Sequence, residues 1–150
     1  MEQVFKEKGD TWPKILKYNY ETYGDHRKAM RYKHYGIWEP FTWKDYYLSV
    51  KYLGLGLLSL GFEPGDKMVI IGENAPQWYC TELAAQANHG VSVGLYSDLT
   101  PREIRYISEN SEAKFAIGQD QEQVDKFLQI KHELPLLKKI IYWNYKGLAH

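Results

Sequence analysis

Apolar residues in the last two thirds of the chain recur as short runs, separated by longer segments with polar positions. Four such runs lie at Met68–Ile71, Val91–Leu95, Lys114–Ile117 and Lys139–Trp143. Runs of this length are too short for a typical helix and fit strands that are buried on both faces. Each connection is long enough to hold a crossover helix. The pattern therefore predicts β-α-β-α-β-α-β with the strands mainly parallel in one sheet.

The first connection carries the signals of a helix. Asn74 is a candidate N-cap, and Pro76 suits the first turn because its missing N–H would have no partner there. The helix should run to about Asn88, with Gly90 as its stop.

The next two connections carry comparable signals. Thr100, Pro101 and Glu103 form a capping box with proline at the first helical position, which predicts a helix to about residue 110. Asp120 is the candidate cap of a following helix that ends near Lys131.

The first third of the chain predicts a helix at Trp12–Tyr23 and a β-hairpin made of Lys28–Tyr32 and Ile37–Thr42. Thr42 then caps a second helix that reaches about Leu60. The predicted fold class is α/β: a twisted, mainly parallel sheet with helices on both faces, preceded by an N-terminal helix and a β-hairpin.

Two predictions concern packing within this fold. The helix that ends near Leu60 contains Gly54 and Gly56, which we expect to allow close approach to a neighbouring backbone. A Gly-x-Gly inside a helix is not a dinucleotide fingerprint, because that motif follows a strand. The side chains expected to be nearly or largely buried are Leu57, Val69, Ile71, Val93 and Ile117, with Trp43 and Trp78.

Composition limits the class of protein. The chain has 150 residues, enough for one domain, and its 19 basic and 19 acidic residues leave no net charge to draw it to nucleic acid. Its single cysteine, Cys80, excludes an internal disulfide and makes a reducing cytoplasm the simpler location, with peripheral membrane association left open. No signal peptide and no apolar run long enough to span a membrane are predicted.

Individual residues offer little chemistry. The five histidines include no pair at i,i+4 spacing, so a zinc site is not predicted, and neither a phosphate-loop nor a nucleophile-elbow motif occurs. Cys80 is interpreted as a buried structural thiol and His89 as a helix-end histidine that bonds a carbonyl group. A basic and aromatic segment at residues 26–33 is interpreted as the solvated side of a hairpin rather than a nucleic-acid or anion site. We assign no catalytic, cofactor-binding or metal-binding residue.

Two strand-end segments remain candidates for ligand contact. Gly72–Asn74 and Tyr96–Asp98 follow predicted strands and precede helix N-termini, which attract anions. Ligands of open parallel sheets bind beyond the carboxyl ends of the strands, where the strand order switches. Simple helix capping explains the same residues, and the sequence alone does not choose between the two.

Several segments together resemble a known family. They read GDKMVIIGENAPQWY at residues 65–79, GVSVGLY at 90–96, AMRYKHYGIW at 29–38, TWKDYY at 42–47, SEAKFAI at 111–117 and IKHELPLLKKIIYW at 130–143. This order of segments resembles the N-terminal part of AMP-forming acyl-CoA synthetases of the adenylate-forming superfamily, with the long-chain fatty-acid–CoA ligases the best fit. His89 departs from the pattern, since a small residue, often glycine, is usual there, and Asn88 beside it is also unusual.

The resemblance implies an enzyme that uses ATP and Mg²⁺ to convert a fatty acid to an acyl-adenylate and then passes the acyl group to coenzyme A. The phosphate loop, the acidic metal ligand and the catalytic lysine of that chemistry are absent from this chain. We therefore expect residues 1–150 to be the N-terminal subdomain of a larger synthetase, inactive alone and without bound cofactor. Its partners would be the rest of its polypeptide, the fatty acid and, as an open alternative, a second copy. A stand-alone Rossmann-like nucleotide- or acyl-binding module and a non-catalytic interaction domain remain alternatives.

Overall fold

The structure is a computed structural model that describes residues 9–148. Its helices are α1 Trp12–Tyr23, α2 Trp43–Ser59, α3 Pro76–Ala87, α4 Pro101–Asn110 and α5 Gln121–Ile130, with one 3₁₀ turn at Lys131–Glu133. Its strands are β1 Lys28–His34, β2 Ile37–Thr42, β3 Lys67–Ile71, β4 Val91–Leu95, β5 Phe115–Gly118 and β6 Lys139–Tyr142. Every predicted element is present in the predicted order, and the ends differ by one or two residues.

The central sheet has the order β4-β3-β5-β6, and all three of its strand pairs are parallel. Val69 in β3 lies opposite Val93 in β4 and Ala116 in β5. β1 and β2 pair antiparallel in a separate two-stranded sheet. The predicted parallel sheet and the preceding hairpin are confirmed.

Helices cover both faces of the sheet, as predicted. Met68 and Ile70 belong to a core cluster with side chains of α1, α2 and α3, whereas Val69 and Ile71 belong to a second cluster with α4 and α5. Adjacent residues of a strand point to opposite faces. The uninterrupted apolar run of β3 therefore supplies both clusters.

The predicted core is largely confirmed. Leu57, Val69, Ile71 and Ile117 are almost fully buried, and the two tryptophans Trp43 and Trp78 pack partly buried against the first cluster. The prediction for Val93 is wrong, because that side chain stays partly exposed. β4 is one of the two edge strands of the sheet, so it has a neighbouring strand on one side only.

The helix starts divide into capped and uncapped ones. Thr42 and Thr100 form complete capping boxes with Asp45 and Glu103, and the Asp120 carboxylate accepts the backbone N–H of Gln123. These starts were predicted from sequence. At α3, however, the N-cap is Ala75, which has no side-chain hydrogen bond to offer. The prediction that Asn74 caps this helix is wrong.

The end of α3 also differs from the prediction. The left-handed residue is His89, with φ 58°, and not Gly90. The N–H of His89 donates to the Gln86 carbonyl at 3.1 Å, and the N–H of Gly90 donates to the Ala85 carbonyl at 2.9 Å. This pair of bonds is a Schellman motif, whose left-handed position favours glycine. His89 therefore adopts a backbone conformation that is costly for a residue with a Cβ.

The two glycines of α2 have different surroundings. The side-chain amide of Asn88 donates to the Gly54 carbonyl oxygen at 2.9 Å, so α2 and α3 approach closely there, as predicted. Gly56 is exposed, and a Cβ placed on it would have no neighbour within 4 Å. The prediction of close approach is wrong for Gly56.

Candidate functional site

The carboxyl ends of β3 and β4 border an open cavity of about 390 Å³. Its walls are formed by Gly72, Glu73, Asn74, Trp78, Gly94, Leu95, Tyr96 and Ser97. The two strand-end segments singled out from the sequence therefore lie side by side. Asp98, the last residue of the second segment, is exposed and does not line the cavity.

Direct hydrogen bonds join the loops at this edge. The Ser97 hydroxyl donates to the Glu73 carboxylate at 2.7 Å, and the backbone N–H of Glu73 donates to the side-chain oxygen of Gln119 at 2.7 Å. The Lys126 ammonium donates to the Ser97 carbonyl oxygen at 2.7 Å and pairs with Glu122 at 3.0 Å. The loops after β3, β4 and β5 thus form one connected layer.

The strand order places the topological switch between β3 and β5, because β4 and β5 lie on opposite sides of β3. A ligand crevice is expected at that point. In this chain it is closed: the Gln119 N–H donates to the Ile71 carbonyl at 3.0 Å, and the Trp143 ring lies so near Gly72 that an added Cβ would be 2.7 Å away. The open cavity lies on the β4 side of β3 instead.

Gln119 and Trp143 were missed by the sequence reasoning. Gly72 was a partial signal, because a glycine directly after a buried strand often marks close contact with another group. The sequence did not reveal which side chain makes that contact.

The charge of the cavity wall does not suit a phosphate group. Its one ionisable carboxylate is Glu73, and neither lysine nor arginine lines it. In residues 9–148 no group of three or more histidine, cysteine, aspartate or glutamate side chains is arranged to hold a metal ion. These residues do not fit ATP phosphates or Mg²⁺, so no reaction step through either is assigned to them.

A second cavity, of about 410 Å³ and mostly apolar, lies between α2, α3 and β6 and includes Cys80 in its wall. Burial raises the pKa of the Cys80 thiol to about 12, despite an opposing hydrogen bond with Ser49. The thiol is therefore protonated at neutral pH and a poor nucleophile. This agrees with its interpretation as a structural residue.

The sequence suggested that the side chain of His89 bonds a carbonyl group at the helix end. In the structure it does not. Its backbone N–H makes that bond, and for the described residues no side-chain hydrogen bond of His89 is found. The imidazole is exposed beyond the amino end of the sheet, away from the cavity.

The described residues contain no helix that is both long enough and apolar enough to cross a membrane.

A parallel sheet between two helical layers, with a cavity at its carboxyl edge, defines an α/β domain of the open-sheet class. Residues 16–147 match the family model described as AMP-binding enzyme, so the chain belongs to that family. The family resemblance carried by the sequence segments is thereby confirmed.

Among curated relatives, the long-chain-fatty-acid–CoA ligase ACSBG1 of Bos taurus is 31% identical over 124 residues. The match covers 83% of this chain and 17% of the relative. The chain therefore spans about a sixth of the length of that protein.

Solved structures share the fold at low identity. The anthranilate CoA ligase AuaEII, in complex with anthranoyl-AMP, superposes with a TM-score of 0.77 and 21% identity over 87% of this chain and 24% of its own. The A-PCP didomain of carboxylic acid reductase from Segniliparus rugosus, in complex with AMP, gives a TM-score of 0.79 and 14% identity over 98% of this chain and 23% of its own.

Proposed function

We propose that residues 1–150 are the N-terminal subdomain of an ATP-dependent acyl-CoA synthetase that activates a fatty acid, with a long-chain acid as the preferred substrate. The observation that carries this proposal is the match of 83% of the chain to a long-chain-fatty-acid–CoA ligase. The confirmed parallel sheet supports it, because the solved adenylate-binding relatives share this fold.

In this proposal the chain is a scaffold. The segments Gly72–Asn74 and Tyr96–Asp98 would form one wall of the ligand site, and other parts of the polypeptide would hold ATP, Mg²⁺ and coenzyme A. Adenylation needs positioned donors for the phosphates and for the developing charge. The cavity wall lacks a cation. We therefore propose that the isolated chain is inactive and binds none of these cofactors.

The proposal also gives a role to an exposed apolar row on α2, formed by Tyr52, Leu55 and Leu58. Their spacing of three places them along the outer side of one helix. Monomeric proteins rarely expose large contiguous apolar patches. We propose that the remaining polypeptide covers this row in a cytoplasmic enzyme, with a homodimer contact as the alternative.

The test is carboxylate-dependent exchange of pyrophosphate into ATP, measured with short, medium and long fatty acids. The complete polypeptide that contains this chain should catalyse exchange, with the highest rate for long acids, and should form acyl-CoA when coenzyme A is added. Residues 1–150 alone should not. Exchange by the isolated chain would refute the scaffold role. Failure of the complete polypeptide with every acid would refute the synthetase assignment and favour a binding module or an interaction domain.

A further inference from the structure

The turn between β1 and β2 and the first two residues of β2 carry three exposed apolar side chains. Tyr35, Ile37 and Trp38 are 93%, 69% and 63% exposed, and with His34 and Gly36 they form what we call the hairpin tip. Residues 35 and 36 have φ of 47° and 83°. Two positive φ values at the centre of a two-residue hairpin loop are typical of a type I′ turn.

Tyrosine is an unexpected residue at the first central position of this turn. The left-handed conformation favours glycine or asparagine and disfavours a residue with a bulky side chain. The Tyr35 ring contacts the exposed His34 ring, with the centroids 4.5 Å apart, and is otherwise almost fully solvated. The folded chain therefore gains little from an aromatic side chain at this place.

Unneutralised cations lie beside the tip. Lys33 is opposite Trp38 in the hairpin register, and its ammonium is 5.9 Å from the centre of the Trp38 ring. Arg31 is two residues earlier and therefore lies on the same face of the strand. Within residues 9–148, neither Arg31 nor Lys33 forms an ion pair.

The acidic side chain of the hairpin is on the other face. Residues 28–42 contain three lysines and arginines and a single carboxylate, Glu39. Glu39 lies opposite Tyr32, accepts a hydrogen bond from its hydroxyl and has His34 at 3.4 Å. The face that carries Trp38 is therefore locally positive, although the whole chain has 19 basic and 19 acidic residues.

We propose that the hairpin tip is a membrane-binding site that recognises a surface containing anionic lipids. Tryptophan and tyrosine prefer the headgroup region of a bilayer, where their apolar bodies and polar ends are both satisfied. Ile37 lies opposite His34, on the face of Glu39, and adds an apolar group at the end of the hairpin. Arg31 and Lys33 follow within two to four residues, roughly 7–13 Å along an extended strand. Lys33 lies within the range over which anionic headgroups attract a cation at physiological salt, about 8 Å, and Arg31 lies beyond it, where the attraction is weaker.

A lipid surface fits these groups better than a nucleic acid does. Phosphate contacts would use the two cations, but they would leave Ile37 in water. A membrane uses the apolar and the cationic groups together, and its negative charge complements the local positive face. This inference does not depend on the proposed synthetase function.

The test is co-sedimentation of the chain with vesicles of phosphatidylcholine alone and of phosphatidylcholine mixed with phosphatidylserine. We expect binding to the mixed vesicles, with partitioning reduced at high salt and in pure phosphatidylcholine. Lys33→Gln should lower partitioning about fivefold, and Arg31→Gln should lower it by less, because Arg31 lies farther from the tip. The double variant Tyr35→Asn with Trp38→Ser should lower it by about tenfold or more, because it removes most of the buried aromatic area.

Matched controls come from α4, on the opposite side of the central sheet. Tyr106→Asn and Arg102→Gln change an exposed tyrosine and an exposed arginine there and should leave partitioning unchanged. Urea unfolding verifies that each variant is folded. Tyr35→Asn suits the type I′ turn, so the tip can be changed without damage to the hairpin.

A direct contact is tested by the fluorescence of Trp38. Lipids brominated on their acyl chains should quench wild-type protein more than the Trp38→Phe variant. The proposal is overturned by absence of binding, by equal binding to neutral and anionic vesicles, or by equal losses in the α4 variants. It is also overturned if an RNA oligonucleotide binds through Arg31 and Lys33 more tightly than the vesicles do, or if sedimentation shows a dimer that hides Trp38 from the lipid.

Discussion

The two ends of the central sheet are built differently, although the same strands reach both. At the amino end, the turn before β3 forms backbone hydrogen bonds with the residues that follow α3, around the buried side chain of Asp66. At the carboxyl end, the segments after β3 and β4 are joined by the hydrogen bond between the Ser97 and Glu73 side chains and leave a cavity between them. The contrast indicates that the amino end serves stability, and it fits our proposal that the carboxyl end forms one wall of a ligand site.

The amino end centres on Asp66, which is 3% exposed. Its carboxylate is 2.5 Å from the Lys114 ammonium and accepts the backbone N–H of Glu63 at 3.0 Å. Its carbonyl oxygen accepts the N–H of Val91, and the N–H of Gly65 donates to the His89 carbonyl, both at 2.9 Å. Both charge and backbone are satisfied there, so a change at one residue disturbs several contacts.

The largest effect is expected for Gly90→Ala. An added Cβ would lie 2.3 Å from the Phe62 ring and 2.8 Å from the Asp66 carbonyl oxygen. Overpacking of this kind costs about 3 kcal/mol when part of the obstacle is backbone. The loss in the free energy of unfolding is measured by urea unfolding of the wild-type chain and the variant.

The matched control is Gly56→Ala, since a Cβ at that position meets nothing within 4 Å. It should leave stability unchanged or raise it by up to about 1 kcal/mol, because alanine favours a helix over glycine. Equal effects of the two substitutions would show that the contact of residue 90 does not hold the amino end together.

The next effect concerns Asp66→Asn. Burial alone would raise the pKa of Asp66, but its bonds with Lys114 and the Glu63 N–H outweigh this and hold the pKa below 3.8. The substitution removes the negative charge from the Asp66–Lys114 ion pair. Because Lys114 is partly exposed, the free energy of unfolding should fall by about 2 kcal/mol, less than for a fully buried pair.

The direction of that pKa shift also predicts a pH dependence. Since the folded-state pKa is the lower one, the stabilisation by Asp66 is fully present well above pH 3.8 and is lost as the pH falls through the folded-state value. Unfolding measured from neutral pH downward should show the gap between wild type and Asp66→Asn closing in this acid range. A gap that stays constant would contradict the ion-pair explanation.

How far the sequence predicts each end follows from the range of the interactions. The capping boxes of Thr42 and Thr100 were predictable because both partners lie within three residues. The left-handed conformation of His89 was not, because the Schellman motif favours glycine at that place and glycine follows one residue later. The local sequence signal therefore points to Gly90 and not to His89.

The candidate site was predicted only in part. The sequence placed Gly72–Asn74 and Tyr96–Asp98 at strand ends, and the structure joins them around a cavity. The side chains that close the switch crevice, Gln119 and Trp143, lie more than forty residues beyond Gly72 in the chain. Their contacts depend on the strand order, which hydrophobic patterning alone does not specify.

A smaller effect of opposite sign is expected for His89→Gly. The left-handed φ of 58° is costly for a residue with a Cβ, and the exposed imidazole contributes no side-chain hydrogen bond within residues 9–148. Glycine should therefore stabilise the chain by about 1 kcal/mol. His89→Ala, which keeps the Cβ, should give no comparable gain in thermal unfolding. A gain from both variants would assign the effect to loss of the imidazole and not to backbone strain.

The smallest effect is expected at the carboxyl end, for Glu73→Gln. Glu73 is exposed; its carboxylate accepts the Ser97 hydroxyl at 2.7 Å, and its backbone N–H donates to Gln119. Glutamine keeps an acceptor for Ser97 and leaves the backbone bond intact, so stability should change by less than about 0.5 kcal/mol. The substitution also removes the sole carboxylate from the cavity wall, which should lower repulsion toward an anion without loosening the fold. Denaturant unfolding of the variant beside Asp66→Asn compares the two ends directly. A loss of stability as large as that of Asp66→Asn would mean that the carboxyl end also stabilises the fold. The contrast drawn between the two ends of the sheet would then be wrong.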